Sequence, residues 1–445
     1  MSDIRHLDDT FVAHTYNRFP VEIVSGKGSE VYDADGKRYI DMGSGIGVTA
    51  FGIADEQWQQ AVTAQLSQVQ HMSNLYYTAP CAKLAAVLCE KTGMKRVFFA
   101  NSGAEANECA IKVARKYAAE KKGPEYHTIL TLNHSFHGRT LTTLAATGQE
   151  HFHKLFQPLT PGFTHIDAGD LETAARVIRE QKVAGILIEC VQGEGGVIAL
   201  DPAFVQGLAK LAAREDVVLM VDEVQTGNGR TGSLYAYMQY AITPDVVTTA
   251  KGLGGGLPIG AALLGEKVQD VLGAGDHGST YGGNPVCCAG ALSVIGRLDE
   301  AFLAGVREKA AYVRESLNGA PGVEAVSGLG LMIGIKTTRP AGEIVRECID
   351  KGVLCLTAKD KVRLLPALNI PMDVLKEAVD VLKTACAGSR LPLRTYKGGS
   401  HYVVTRKTFL ETTGFHPCRD QRAFGTGRRT EIQEEGGNPP PPVRG

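Results

Sequence analysis

The chain has 445 residues, 44% of them hydrophobic and 21% charged, with a formal net charge of −1. This is an ordinary globular composition with room for two or three domains, and its balanced charge argues against nucleic acid or a membrane as partner. No apolar run reaches the length of a membrane span, and the ten cysteines have no C-x-x-C pair or metal-ligand spacing, so reduced thiols and no metal site are expected.

In chain order, the polar, acidic start MSDIRHLDDTF is neither a secretion signal nor an Arg-rich transit peptide, so a cytoplasmic location is expected. VYDADGKRYID at 31–41 predicts a hairpin turning at Asp35-Gly36. From Val97 to Lys251, short apolar runs at 97–100, 128–132, 185–188, 217–221 and 245–250 alternate with helical stretches such as 104–122 and 202–217. The runs lack apolar/polar alternation, as strands buried on both faces do, and repeated strand–helix–strand units imply a mostly parallel sheet covered by helices. Later segments predict helices at 301–318, 341–351 and 371–386 and a strand at 331–336. The expected fold is therefore α/β: a large domain at 51–289, and a smaller α+β domain built from both chain ends, 1–50 and 290–387. The remainder, 388–445, carries ten Lys/Arg against five Asp/Glu, ends GGNPPPPVRG and is expected to be a disordered basic tail.

Four stretches carry chemistry, each at the carboxyl end of a predicted strand or in a glycine-rich turn, where ligands of such sheets sit. Asn101-Ser102-Gly103-Ala104-Glu105 reads as an S-x-x-E capping box, and a helix start there offers free N–H groups to a phosphate; an ordinary helix start has the same pattern. Asp222 ends the apolar run VVLMV, where a carboxylate needs a cation such as a pyridinium nitrogen; a magnesium-binding acid would need a phosphate-loop partner that the chain lacks. Lys251 ends an apolar strand before Gly252-Leu253-Gly254-Gly255-Gly256, as a desolvated nucleophilic amine or as a surface lysine in a flexible loop. Gly278-Ser279-Thr280-Tyr281-Gly282-Gly283 is a second candidate phosphate turn or a plain loop. Between them, Phe136 has the shape to stack on a flat ring and Arg139 the charge to clamp a carboxylate.

Over about residues 11–386 the chain resembles the class III (subgroup II) aminotransferases of the fold-type I pyridoxal-phosphate family. The motifs are NSGAEAN at 101–107, FHGRT at 136–140, QGEGG at 192–196, DEVQTGNGRTG at 222–232, AKGLGGGLPIG at 250–260 and HGSTYGGNP at 277–285. TYNRFP at 15–20, HGRTLTTLAATGQE at 137–150, GDHGSTYGGNP at 275–285 and VRLLPAL at 362–368 resemble the branch whose donor is an acylated ornithine. The resemblance implies pyridoxal 5'-phosphate as cofactor, held covalently by Lys251, with Asp222 at the ring nitrogen, Gln225 at the ring hydroxyl, Phe136 stacked on the ring and Val224 alongside. It implies Ser102, Gly103 and Ala104 at the phosphate, with Thr280 reaching in from the second subunit of a homodimer with shared active sites. Arg139 and Ser279 would contact the acylated donor, and Arg363 the α-carboxylate of glutamate or 2-oxoglutarate. Glu194 would gate that arginine, pairing with it while the ω-amine donor is bound. The reaction implied moves the δ-amino group of N2-acetyl-L-ornithine to 2-oxoglutarate. Alternatives are another ω-amine donor (4-aminobutyrate, ornithine or succinylornithine) and a non-catalytic metabolite sensor on the same fold. Cys190 stands where most of the family has proline, FGIADEQW at 51–58 replaces an LGHCHP-like segment, and residues 388–445 match nothing in the family.

Overall fold

The computed structural model describes residues 3–388, so the predicted tail, apart from its first residue, lies outside the described residues. At the centre is a seven-stranded sheet in the order Arg96–Ala100, Gly260–Leu264, Val246–Thr249, Val218–Asp222, Val183–Ile188, Thr128–Leu132, Phe163–Ile166. All its strands are parallel except Gly260–Leu264, which runs antiparallel to both neighbours.

The apolar runs form strands because both faces are covered. Along Val218–Asp222, Val218 and Met220 pack with Ala110, Val113 and Ala114 of the helix Gly103–Lys122. The alternate residues Leu219 and Val221 join a second cluster with Phe204, Val205 and Leu208 of the helix Pro202–Arg214. Each fully buried aliphatic side chain of this kind contributes roughly 1.5–3 kcal/mol.

The five strands expected from sequence all form, within one or two residues of the expected bounds. Phe163–Ile166 and Gly260–Leu264 were not expected. The first, FTHI, is a half-exposed edge with two polar residues; the second, GAALL, follows a glycine-rich stretch and is as apolar as a helix core.

The hairpin forms as predicted, Glu30–Asp33 against Arg38–Asp41 with Gly36 at φ 79°. Its sheet is completed from the far end of the chain, where Val353 pairs in parallel with Ile40. A second four-stranded sheet (Val323–Leu329, Met332–Thr337, Lys361–Leu364, Leu356–Ala358) is wholly antiparallel and carries the helices Glu300–Leu317, Ala341–Asp350 and Met372–Ala387. Buried Arg230 ties this part to the central sheet, donating from Nη1 to the carbonyls of Pro366 at 2.6 Å and Leu331 at 3.3 Å. Among the described residues no helix is long and apolar enough to cross a membrane.

Candidate active site

The parallel strands end along one edge, and the residues following them converge on a cavity of about 450 Å³. Its wall includes Ser102, Gly103, Ala104, Phe136, Arg139, Glu194, Asp222, Val224, Gln225 and Lys251. Thus ten of the residues singled out from sequence, spread over 150 positions, meet in one place.

The helix Gly103–Lys122 begins at this wall. Ser102 caps it, its Oγ accepting the Glu105 N–H at 3.2 Å and donating to Glu105 Oε2 at 3.0 Å. The second leg of the box is displaced by one residue: Glu105 Oε2 accepts the Asn101 N–H at 2.9 Å rather than that of Ser102. First-turn N–H groups have no intrahelical acceptor, so those of Gly103 and Ala104 are available to an anion. Gly103 is needed for close approach, because a Cβ there would lie 2.6 Å from Val224 Cγ1.

Asp222, 4% exposed, is held on three sides. Oδ2 accepts from Asn107 Nδ2 at 2.7 Å and pairs with His137 Nδ1 at 2.9 Å, while Oδ1 accepts the Val224 N–H at 3.0 Å. Asn107 is itself fixed by the Thr248 hydroxyl, which donates to Oδ1 at 2.7 Å.

Lys251 follows Val246–Thr249 with φ 45°, a left-handed conformation that costs a non-glycine residue on the order of 1 kcal/mol. Among the described residues its amine makes no hydrogen bond or ion pair. Burial lowers its pKa against the opposing pull of Asp222 and Glu194, so the neutral, nucleophilic form is reached at a lower pH than for a free lysine. Behind the following turn, the indole of Trp58 donates to the Gly254 carbonyl at 3.0 Å and lies so close that a Cβ on Gly255 would be 2.8 Å from its nitrogen.

Arg363, 4% exposed, donates from Nη1 to Glu194 Oε1 at 2.5 Å beside the cavity. Burial favours the neutral form of Glu194, but Arg363 outweighs it and the carboxyl is held below its usual range. Gln225 Nε2 reaches Glu194 at 3.4 Å, while buried Gln225 Oε1 has no partner.

Ser279 and Thr280 are not brought to this wall. They line a separate cavity with His71, Asn74 and Phe98, and Ser279 Oγ is engaged by Asn101 Nδ2 at 3.1 Å and the Gly282 N–H at 2.9 Å. Conversely, the wall contains residues to which sequence reasoning gave no role: Val48, Asn107, His137, Glu189 and Leu257–Ile259. Glu189 had a signal, since it ends the apolar strand Val183–Ile188 just as Asp222 ends Val218–Asp222. Asn107 and His137 lie inside motifs but act through Asp222.

The class-III aminotransferase family model matches residues 11–386. Among curated relatives, the acetylornithine aminotransferase of Haemophilus ducreyi is 51% identical over 381 residues, 85% of this chain and 97% of that protein. That of Methanocaldococcus jannaschii is 43% identical over 85% of this chain and 96% of its own length. Among solved structures, N-acetylornithine aminotransferase from Stenotrophomonas maltophilia superposes with TM-score 0.74 at 34% identity, covering 84% of this chain and 97% of that one. An ornithine aminotransferase from Toxoplasma gondii, described with partial occupancy of PLP at its active site, gives TM-score 0.82 at 30% identity over 86% of this chain and 94% of that one. On the match across residues 11–386 and the extent of these identities, the chain belongs to the class-III aminotransferase family.

Proposed function

We propose that this chain is a pyridoxal-phosphate-dependent aminotransferase that moves the δ-amino group of N2-acetyl-L-ornithine to 2-oxoglutarate, giving N-acetyl-L-glutamate 5-semialdehyde and L-glutamate. The observation that carries it is the partnerless, pKa-lowered amine of Lys251 in the same wall as the triply held carboxylate of Asp222. The relatives that are acetylornithine aminotransferases support the choice of donor.

The residues present fit the cofactor. Gln225 Oε1 is a buried acceptor without a donor among the described residues, suited to a ring hydroxyl, and Gly103 and Ala104 bring a helix start, with its unsatisfied N–H groups, to the same wall for a phosphate. Bound there, pyridoxal phosphate supplies an aldehyde for the amino group and a protonated pyridine ring that withdraws electrons from the reacting carbon. Asp222 keeps that ring nitrogen protonated, and Asn107 and His137 keep Asp222 aimed. Phe136 covers a ring face, with Val224 alongside. Lys251 Nζ would hold the cofactor covalently and, once displaced by the donor's amine, would be the free base that moves the proton from the donor's amine-bearing carbon. Arg139 binds the donor's carboxylate. Glu194 covers Arg363 while the ω-amine donor is bound and withdraws when 2-oxoglutarate needs that guanidinium for its α-carboxylate.

Ser279 and Thr280, in a cavity of their own, complete the neighbouring site of a homodimer; exposed Leu75, Tyr76, Tyr77 and Tyr281 are the surface this buries. The proposed division is 51–289 as the large domain and 1–50 with 290–387 as the small one, in a cytoplasmic enzyme.

The test is a donor panel with 2-oxoglutarate comparing N-acetylornithine, N-succinylornithine, ornithine and 4-aminobutyrate, together with borohydride reduction and peptide mapping. N-acetylornithine is expected to give the highest kcat/KM, with the reduced adduct on Lys251. A different preferred donor would reassign the substrate, and an adduct absent from Lys251 would remove the mechanism.

A further inference from the structure

Glu189 lies outside every role assigned above. It follows the fully buried strand Val183–Ile188, is 6% exposed and forms part of the cavity wall. Oε2 accepts the Phe136 N–H at 2.9 Å, and Oε1 accepts the Gly193 N–H at 3.3 Å. One carboxyl therefore spans two loops that leave different strands: the first carries Phe136 and Arg139, the second carries Glu194.

Among the described residues no Lys, Arg or His forms an ion pair with it. Burial pushes the carboxyl up to about 7, with Asp222 adding to the rise and His137 and the two N–H groups opposing it; Lys251 is also within electrostatic range. An acid without a counter-charge is costly to bury, and an apolar side chain would fill the same wall at less cost. What a carboxyl adds is two acceptor oxygens for two backbone donors. The loops also meet where buried Gln192 Nε2 donates to the Asn133 carbonyl at 2.8 Å; neither residue lines the cavity, so Glu189 is the tie at the cavity wall.

We propose that Glu189 is a positioning residue that locks the Gly193–Glu194 turn to the Phe136 loop and so holds Glu194 in its pairing with Arg363. This rests on the aminotransferase reading above, in which that pairing serves the ω-amine half of the reaction. A glutamine at 189 has one acceptor oxygen and one NH2, so one backbone N–H must face another donor. The longer contact, to Gly193, is the one surrendered, which releases the Glu194 turn. Aspartate, one methylene shorter, reaches one loop and acts in the same direction.

The experiment measures the two half-reactions separately by cofactor absorbance in purified holoenzyme, using the wild-type protein, Glu189→Gln and Glu189→Asp. The amine is whichever ω-amine the wild type uses fastest, and glutamate is the second donor. Glu189→Gln is expected to lower kcat/KM for the ω-amine about tenfold, the scale of one lost hydrogen bond to a charged group. For glutamate, which needs Arg363 uncovered, the change is expected to stay within about twofold. If Glu189→Gln does not fold, the same split in Glu189→Asp decides. Equal losses in both halves, or no loss in either, overturn the proposal while leaving the aminotransferase reading intact. A wild type that accepts no amine sinks that reading and this one with it.

Discussion

Glu223 adjoins Asp222 in sequence but takes no part in the cavity wall. It is 0% exposed, with Oε1 accepting the Tyr237 N–H at 2.7 Å and Oε2 accepting the Thr226 hydroxyl at 2.5 Å. Burial pushes its carboxyl from 4.5 to about 7 despite those bonds. Because the folded pKa lies above the unfolded one, the associated stability is full below 4.5 and is lost as pH rises to about 7. A shift of that size corresponds to on the order of 3 kcal/mol. Glu223→Gln keeps an acceptor for Tyr237 and lets the Thr226 oxygen accept in its turn. Its Tm is expected to fall less between about pH 5 and pH 8 than that of the wild type. Parallel melting curves across that range would contradict the assignment.

The same buried-acid logic shows what could be seen at single positions in the sequence. Asp222 was legible because an acid ending a strand like VVLMV demands a partner. Glu189 meets the same criterion, one residue past the end of the apolar strand Val183–Ile188. His137 and Asn107 were not legible as individuals, since their role depends on where a helix and a loop meet around Asp222. Ser279 and Thr280 were legible only through the family resemblance, since within the chain they line a cavity apart from the Lys251 wall and Ser279 bonds to Asn101 and Gly282.

Among the elements, the helix Gly103–Lys122 links stability most directly to the site, since its first turn is also the proposed phosphate cradle. Ser102→Ala removes the acceptor for the Glu105 N–H and is expected to cost about 1 kcal/mol. It is also expected to weaken cofactor retention, measured by dialysis and residual absorbance; a fall in Tm without faster cofactor loss would separate the cap from the cradle. This helix was readable from its cap and its alanine-rich face, and the buried strands from their unbroken apolar runs. The strand Gly260–Leu264 was not, because GAALL fits a helix core as well as a strand. Only its antiparallel pairing with Val246–Thr249 and Arg96–Ala100 decides between them.

Across the whole molecule, the proposed site draws on positions from Ser102 to Arg363 and on two parts of the fold joined through Arg230. Subunit sharing has a direct test by complementation. Lys251→Ala and Thr280→Ala dimers are each expected to be impaired. A mixed dimer places the intact Lys251 of one chain opposite the intact Thr280 of the other, and so regains about half of the wild-type sites. Mixed dimers no more active than the better parent would place both residues in the same chain's site.

Trp58 is the chain's single tryptophan, and it is wedged behind the glycine turn that follows Lys251. Its emission is therefore a pure signal, unmixed with any other indole. A chromophore attached to Lys251 would quench that light by energy transfer across the turn, so the brightness of the unmodified protein reports the fraction of loaded sites without a label.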